Sequence, residues 1–256
     1  MPVATQILSS SQNPLIKDVR RAASRGTLTS AGYAVAEGMH LLAEALRSGA
    51  DIGGVLVSEE VEHEWTPEIT VYVLPRELFR EITTTESPQG IITLVRPRKF
   101  ELEDILRQGP AILLDGIQDP GNAGAIVRVA EAFGGSGVVF MKSTVSPFNP
   151  KCLRASAGSL FRLPFVNHPE PESVRQWIAA LNVQLYAAMP AAELAITDVD
   201  WSKPSAVLIG SEGRGVSNEW SRVATRVCIP TKGVESLNAA IAAGVILYEA
   251  SRQWPS

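Results

Sequence analysis

The sequence predicts an α/β protein in two parts, the second built on a mostly parallel sheet covered by helices on both faces. From residue 111 onward, apolar runs of four to six residues alternate with helical patterns of ten or more, the spacing that crossover connections between parallel strands require. At 256 residues the chain is longer than an average single domain, and a basic, proline-containing stretch at 96–99 precedes the point where the pattern becomes regular. A first domain over 1–97, a linker over 98–109 and a second domain over 110–256 are expected.

Asn13-Pro14 reads as a helix entry, and Leu15, Ile16, Val19, Ala22 and Ala23 fall on one helical face. Lys17, Arg20, Arg21 and Arg25 lie on the opposite face, so the first 25 residues carry a net charge of +3 in a chain whose formal charge is -4. That face is either an ordinary solvated one or a phosphate-binding one, and both readings stay open. A strand at 33–37, a helix at 39–47, strands at 54–58 and 70–74, a short helix near 76–82 and a strand at 90–95 complete the first part. An amphipathic segment at 102–106 leads into the second. There, strands are expected at 111–115, 137–141, 184–189, 205–212 and 226–230, with helices at 123–133, 150–161, 172–181 and 237–254. Ligands of such sheets bind beyond the carboxyl ends of the strands, which directs attention to the loops after Leu114, Met141, Met189, Ile209 and Ile229.

With 45% hydrophobic and 20% charged residues, disorder is excluded, and the net charge of -4 excludes a protein that coats nucleic acid by bulk charge. Cys152 and Cys228 lack a C-x-x-C spacing, so no zinc site is expected and both read as buried free thiols. The N-terminal segment lacks the charged and apolar regions of a secretory signal, and no apolar run approaches the ~20 residues that span a bilayer. A soluble, cytoplasmic protein is the expectation.

Three strand-end loops carry the chemistry. The first runs Asp119-Pro120-Gly121-Asn122-Ala123-Gly124 and on to Arg128; Asn122 reads as a helix N-cap, and Arg128 is a lone guanidinium in an otherwise apolar helix. Ile209-Gly210-Ser211-Glu212-Gly213-Arg214-Gly215 is the second, in which three glycines within six residues allow close backbone approach around a carboxylate. Its G-x-x-G-x-G spacing fits neither the dinucleotide fingerprint nor the P-loop. Last comes Ile229-Pro230 through Glu235-Ser236-Leu237-Asn238, where Ser236, read plainly, caps a helix of small residues.

In this order, at strand ends of one sheet, the three loops resemble the motifs of the SpoU, or TrmH-type, RNA ribose 2′-O-methyltransferases of the SPOUT superfamily. The resemblance covers roughly 111–254, and Ser11 to Lys17 with Val35-Ala36-Glu37-Gly38 looks like the small α/β RNA-binding domain that often precedes it. It implies a trefoil-knotted second domain, a topology that default chain-threading rules exclude. S-adenosylmethionine is then expected in the knot, against Ala188, Gly210, Ile229 and Leu237. A homodimer with its active site at the subunit interface is also implied. Thr231-Lys232 departs from the apolar residue common after the Ile-Pro, which alters the cofactor rim without removing it.

By the same resemblance, Asn122, Arg128, Glu212, Ser236 and Asn238 form the catalytic set, with Arg128 stabilising the developing 2′-alkoxide or, in the rival view, acting as the base. The three motifs hold no histidine: His40 and His63 fall in the first domain and His168 between motifs. The acceptor is RNA, ribosomal before transfer RNA, because only RNA carries the 2′-hydroxyl. Lys17, Arg20, Arg21 and Arg154 are the expected RNA contacts, and no metal is expected. The alternative reading is a non-catalytic RNA-binding or ribosome-assembly factor that keeps the knot fold.

Overall fold

The computed structural model describes residues 5–62, 69–107 and 109–253, and divides into two compact units. His63 and Trp254 lie outside the described residues.

The first unit spans residues 1–98 together with 148–162. Its elements are β1 (Thr5–Ile7), α1 (Pro14–Arg25), β2 (Ala34–Glu37), α2 (Met39–Arg47), β3 (Asp51–Ser58), β4 (Val71–Leu74), α3 (Arg76–Arg80) and β5 (Ile91–Arg96). Asn13 caps α1, its side chain accepting from the Leu15 amide at 2.9 Å, and Pro14 supplies the pre-set first turn. The five strands order as β1-β4-β3-β5-β2, parallel across β1, β4 and β3 and antiparallel where β5 meets β3 and β2. Alternation along β3 sends Leu56 to a core with Ile16, Val19 and Phe79, and Val55 and Val57 to a second core with Leu42 and Val71.

In the second unit the elements are α4 (Leu102–Leu106), β6 (Pro110–Asp115), α5 (Pro120–Ala132) and β7 (Gly137–Phe140). After α6 (Pro150–Ala155), which clusters with the first unit, come β8 (Phe165–Asn167), α7 (Pro171–Ala180), β9 (Gln184–Ala188), β10 (Leu194–Ala195), β11 (Ser205–Gly210), α8 (Asn218–Ser221), β12 (Thr225–Cys228) and α9 (Ala239–Ser251). Seven strands form one sheet, β10-β12-β9-β11-β6-β7-β8, with every recorded pairing parallel. Leu113, Val139 and Leu208 face a core with Ile105 and Val174, while α5 and α9 pack on the sheet and on each other. The expected α/β class with a mostly parallel sheet is therefore the observed one, and the first unit adds a small mixed sheet.

Several local expectations change. The helix expected over 150–161 stops at Ala155 and is followed by a single 3-10 turn at Ser159–Phe161, the chain passing through Ala157 and Gly158 at positive φ. Strands β1, β8 and β10 have only two or three residues, too few for a periodicity to register. Cys152 is buried, which pushes its thiol up to about 12, whereas Cys228 is half-buried and donates to the Ala192 carbonyl.

Within the first unit the Glu37 carboxylate is 4% exposed yet fully engaged. It accepts from the hydroxyls of Thr83, Thr84 and Thr85, from the Thr84 amide at 3.1 Å and from Arg154 at 3.2 Å. Burial alone raises the pKa of this carboxyl, but the hydrogen bonds from Thr83, Thr85 and Thr84 outweigh it, and the net position is below the ordinary 4.5. Arg162 and Arg47 meet the buried Glu44 in the same way.

A carboxyl with a depressed folded pKa stabilises fully above its unfolded value and loses that contribution as pH falls through the folded one. The thermal midpoint of the wild type should therefore fall faster with acidification below pH 4.5 than that of Glu37→Gln. At neutral pH the substitution should cost about 2 kcal/mol, the value of hydrogen bonds to a charged group. Parallel pH slopes in differential scanning calorimetry would remove Glu37 from the acid response.

Candidate active site

β6 ends at Asp115, whose carboxylate accepts from the Ser217 amide at 2.7 Å and so ties the first loop to the second. The cap of α5 is Asp119, not Asn122 as the sequence suggested: its side chain accepts from the Asn122 amide at 2.8 Å, and Pro120 takes the first helical position. Proline fits there because its missing N–H is one that a helix start leaves unpaired. Asn122 thereby falls in the first turn with its side-chain amide free to project.

β11 runs into a loop closed by the Gly215 amide on the Ser211 carbonyl at 2.8 Å. A β-carbon at position 210 would lie 2.0 Å from the Gly215 carbonyl carbon and 2.1 Å from the Val216 nitrogen, so only glycine permits this return of the chain. By contrast, a β-carbon at Gly213 would meet nothing within 4 Å.

After β12, the Thr231 hydroxyl donates to the Val234 carbonyl at 3.1 Å across a turn containing Gly233 at φ 78. The cap of α9 is Asn238, not Ser236; its Oδ1 accepts from the amides of Ala240 at 2.9 Å and Ile241 at 3.3 Å. Helix α9 accordingly starts two residues later than expected.

The three loops meet at Asn122. Its Nδ2 donates to the Glu212 carboxylate, and its Oδ1 accepts from Asn238 Nδ2 at 3.0 Å. Asn122, Glu212 and Asn238 are thus brought together at the carboxyl edge of the sheet. Arg128 and Ser236 are not joined to them: Arg128 is exposed, has no polar partner among the described residues, and stands six residues, about 9 Å of helix rise, beyond Asn122.

Ala188, Gly210, Ile229 and Leu237 all line one cavity of about 520 Å³, together with Glu212, Ser236 and Asn238. That volume lies within the range of small-molecule sites. A second cavity of about 490 Å³ lies at the ends of β6, β7 and β11, and shares Ser211, Glu212, Arg214 and Gly215 with the first. Sequence reasoning pointed to the loops after Leu114 and Met141, and to Lys142 as a phosphate contact, but did not select Gln118 or Ser143, which line the cavity there.

Of the expected RNA contacts, Lys17 is exposed and unpartnered among the described residues. Arg20 pairs with Glu81, Arg21 with Asp18, and Arg154 with Glu37, so internal carboxylates already neutralise much of the cationic face. Among the described residues no group of three or more His, Cys, Asp or Glu is placed to hold a metal, and no helix is long and apolar enough to cross a membrane.

Residues 109–248 match the model of the SpoU rRNA Methylase family, and residues 13–93 match an MRM3-like substrate binding domain. The chain is 30% identical to the 23S rRNA (guanosine(2553)-2′-O)-methyltransferase RlmP of Bacillus subtilis, over 94% of this chain and 97% of that one. It is 33% identical to the 23S rRNA (uridine(2479)-2′-O)-methyltransferase of Streptomyces viridochromogenes, over 77% of this chain and 80% of the relative. Among solved structures, the SpoU methyltransferase AviRb of S. viridochromogenes in complex with AdoMet superimposes with a TM-score of 0.84 at 29% identity, covering 94% of this chain and 98% of that chain. The AdoMet-bound rRNA methyltransferase of Sinorhizobium meliloti gives 0.83 at 30% identity, covering 99% and 100%.

The geometry of the second loop makes a paired prediction. Gly210→Ala should force the 211–215 segment to move and cost about 2 kcal/mol or more, as overpacking does. Gly213→Ala, with open space around it, should stay within roughly 0.5 kcal/mol of the wild type. Chemical denaturation of the two variants side by side checks both, and equal midpoints would contradict the close approach.

Proposed function

The chain belongs to the SpoU rRNA methylase family, and on that premise we propose that it methylates a ribose 2′-hydroxyl of structured RNA, with S-adenosylmethionine as donor. The observation that carries this reading is the convergence of three loops on Asn122, beside one cavity lined by all four residues expected to hold the cofactor. Ribosomal RNA is the favoured substrate, since the relatives from B. subtilis and S. viridochromogenes are both named for 23S rRNA.

The cavity suits the cofactor chemically. Apolar walls at Ala188, Met189, Ile209 and Leu237 fit the adenosine, and the carboxylates of Glu212 and Glu235 suit a ligand that bears a cationic sulfur. When bound, S-adenosylmethionine supplies an electrophilic methyl group. The residues of the chain then have to position the acceptor and stabilise the charge that develops on its oxygen, since displacement at a methyl group needs little else. Asn122, itself held by a donor from Asn238, donates to the Glu212 carboxylate beside the cavity, where that carboxylate accepts a hydrogen bond from the incoming hydroxyl. Arg128 supplies the cation, gripping the phosphate and the 2′-oxygen, because a guanidinium that stays protonated serves better as a fork of donors than as a base. Imidazole catalysis has little support: His40 belongs to the first unit, and the His168 ring sits against the Thr144 carbonyl at 3.0 Å.

A homodimer explains why Arg128 stands apart in a single chain. α9 carries Ile241, Val245 and Tyr248 on one stripe at 56%, 36% and 54% exposure, and a helix apolar on nearly every side is one that ends buried. α5 packs beside it through Val129, the residue after Arg128, against Gly244. A second copy covering this stripe brings Arg128 to the partner's cavity. Residues 1–97 select the RNA, with Lys17 as a phosphate contact, and the enzyme works in the cytoplasm.

Arg128→Ala should keep its calorimetric affinity for S-adenosylmethionine and lose at least ~10²-fold in single-turnover methyl transfer, the scale of a lost oxyanion donor. Unchanged turnover would take Arg128 out of the mechanism. Ile241→Glu combined with Tyr248→Glu should sediment as a monomer, and a dimer of undiminished stability would place the interface elsewhere.

A further inference from the structure

Resting on the methyltransfer reading, we propose that the second cavity, across the 211–215 loop from the cofactor cavity, seats the acceptor nucleotide of the RNA, with Gln118 and Ser143 reading its base and Arg214 holding its phosphate. The cavity of about 490 Å³ opens where β6, β7 and β11 end, the edge at which parallel sheets bind ligands. A nucleotide is small enough to fit such a volume.

Its wall is fixed before any ligand arrives. Ser143 is held at φ 68, a conformation that costs a non-glycine residue energy and persists only when neighbouring contacts enforce it. Those contacts are present. The buried Thr144 hydroxyl donates to the Leu114 carbonyl at 2.7 Å and accepts from the Gly116 amide at 3.0 Å. The Thr144 carbonyl meets the His168 ring, and the Val145 amide donates to the Ile117 carbonyl at 2.8 Å. This locking has no purpose for the cofactor cavity, which the 142–145 segment does not line.

Asp115, Lys142, Glu212 and Glu219 on its lining are already paired, but two polar groups facing the space are unspent. Gln118 and Arg214 are exposed and have no polar partner among the described residues, although carboxylates lie on the same rim. An amide supplies both a donor and an acceptor to a base edge, and a guanidinium matches a phosphate with two parallel donors. Arg214 and Glu212 line both cavities. An acceptor seated here meets the donor where the two cavities adjoin at Glu212 and Arg214, with its ribose beside the carboxylate to which Asn122 donates, so that the 2′-oxygen can approach the methyl carbon directly.

The test uses the full chain and Gly213→Leu, which adds a side chain in open space at a residue that lines the second cavity and not the first. With unmodified 23S rRNA transcript and labelled S-adenosylmethionine, the variant should lose about 10²-fold in kcat/KM, the cost of a misplaced acceptor. Its affinity for S-adenosylmethionine should stay within about twofold, the level of an untouched site. Independently, on protein saturated with S-adenosylhomocysteine, saturation-transfer NMR should detect 5′-GMP or 5′-UMP on the wild type and on neither Gly213→Leu nor Gln118→Leu. Wild-type turnover that survives in Gly213→Leu overturns the seat and leaves the methyltransfer reading standing. A wild type that transfers no methyl group to any RNA sinks that reading instead, and the nucleotide titration still decides whether the cavity binds. Failure of the wild type to bind either nucleotide, or equal binding by the variants, overturns the proposal.

Discussion

The arrangement at the sheet edge depends on the chain passing itself at Gly210. A β-carbon there would lie about half a normal contact distance from the Gly215–Val216 peptide, so the return of the backbone exists only while position 210 is glycine. Once the chain turns back, the Ser211 carbonyl takes the Gly215 amide and the loop becomes a thin wall. Its Glu212 side chain projects toward Asn122, and space remains on both sides. A looser loop would leave the carboxylate without a preferred direction.

The division of labour at the two helix starts is the second constraint. Because Asp119 satisfies the first turn of α5, Asn122 has no capping duty and spends both ends of its amide on the other loops. Asn238 does two tasks at once, accepting two backbone amides through Oδ1 while donating through Nδ2. An aspartate there would cap equally well but has no proton to give, and a serine is too short to reach both partners. The requirement for asparagine at 238 is thus chemical as well as conformational.

Much of this was legible beforehand because it is local. Strand and helix order in the second unit follows from apolar periodicity and the three loops from glycine spacing at strand ends, while the four cavity residues followed only from the resemblance of those loops to the family motifs. The misplaced cap of α5 was also readable: proline at the first helical position marks the residue before it as the cap, and Asp119-Pro120 carries that signal. Charge pairing across long separations was not readable. Arg20 finds Glu81 and Arg154 finds Glu37 through a fold that joins positions 61 and 117 residues apart, so two of the expected RNA contacts also carry an ion pair within the first unit. The clustering of residues 148–162 with the first unit has the same origin, since that segment's arginines find their buried carboxylates there.

The hydrogen bonds that join Asn122, Glu212 and Asn238 are open to solvent in a single chain. Water competes for every one of them, so in isolation they set the direction of the carboxylate but contribute little to stability. Their strength as a catalytic device has to come from exclusion of water, because the same charges interact several times more strongly once the surrounding dielectric falls. Among the described residues nothing covers the network, and the same unit offers an apolar stripe on α9 and, at Arg128, a guanidinium with no polar partner among them. Covering that stripe and filling the adjacent cavity with RNA would remove solvent and deliver the missing cation in the same event. On the proposed dimer, assembly is the step that turns three weakly joined loops into a site able to stabilise an alkoxide.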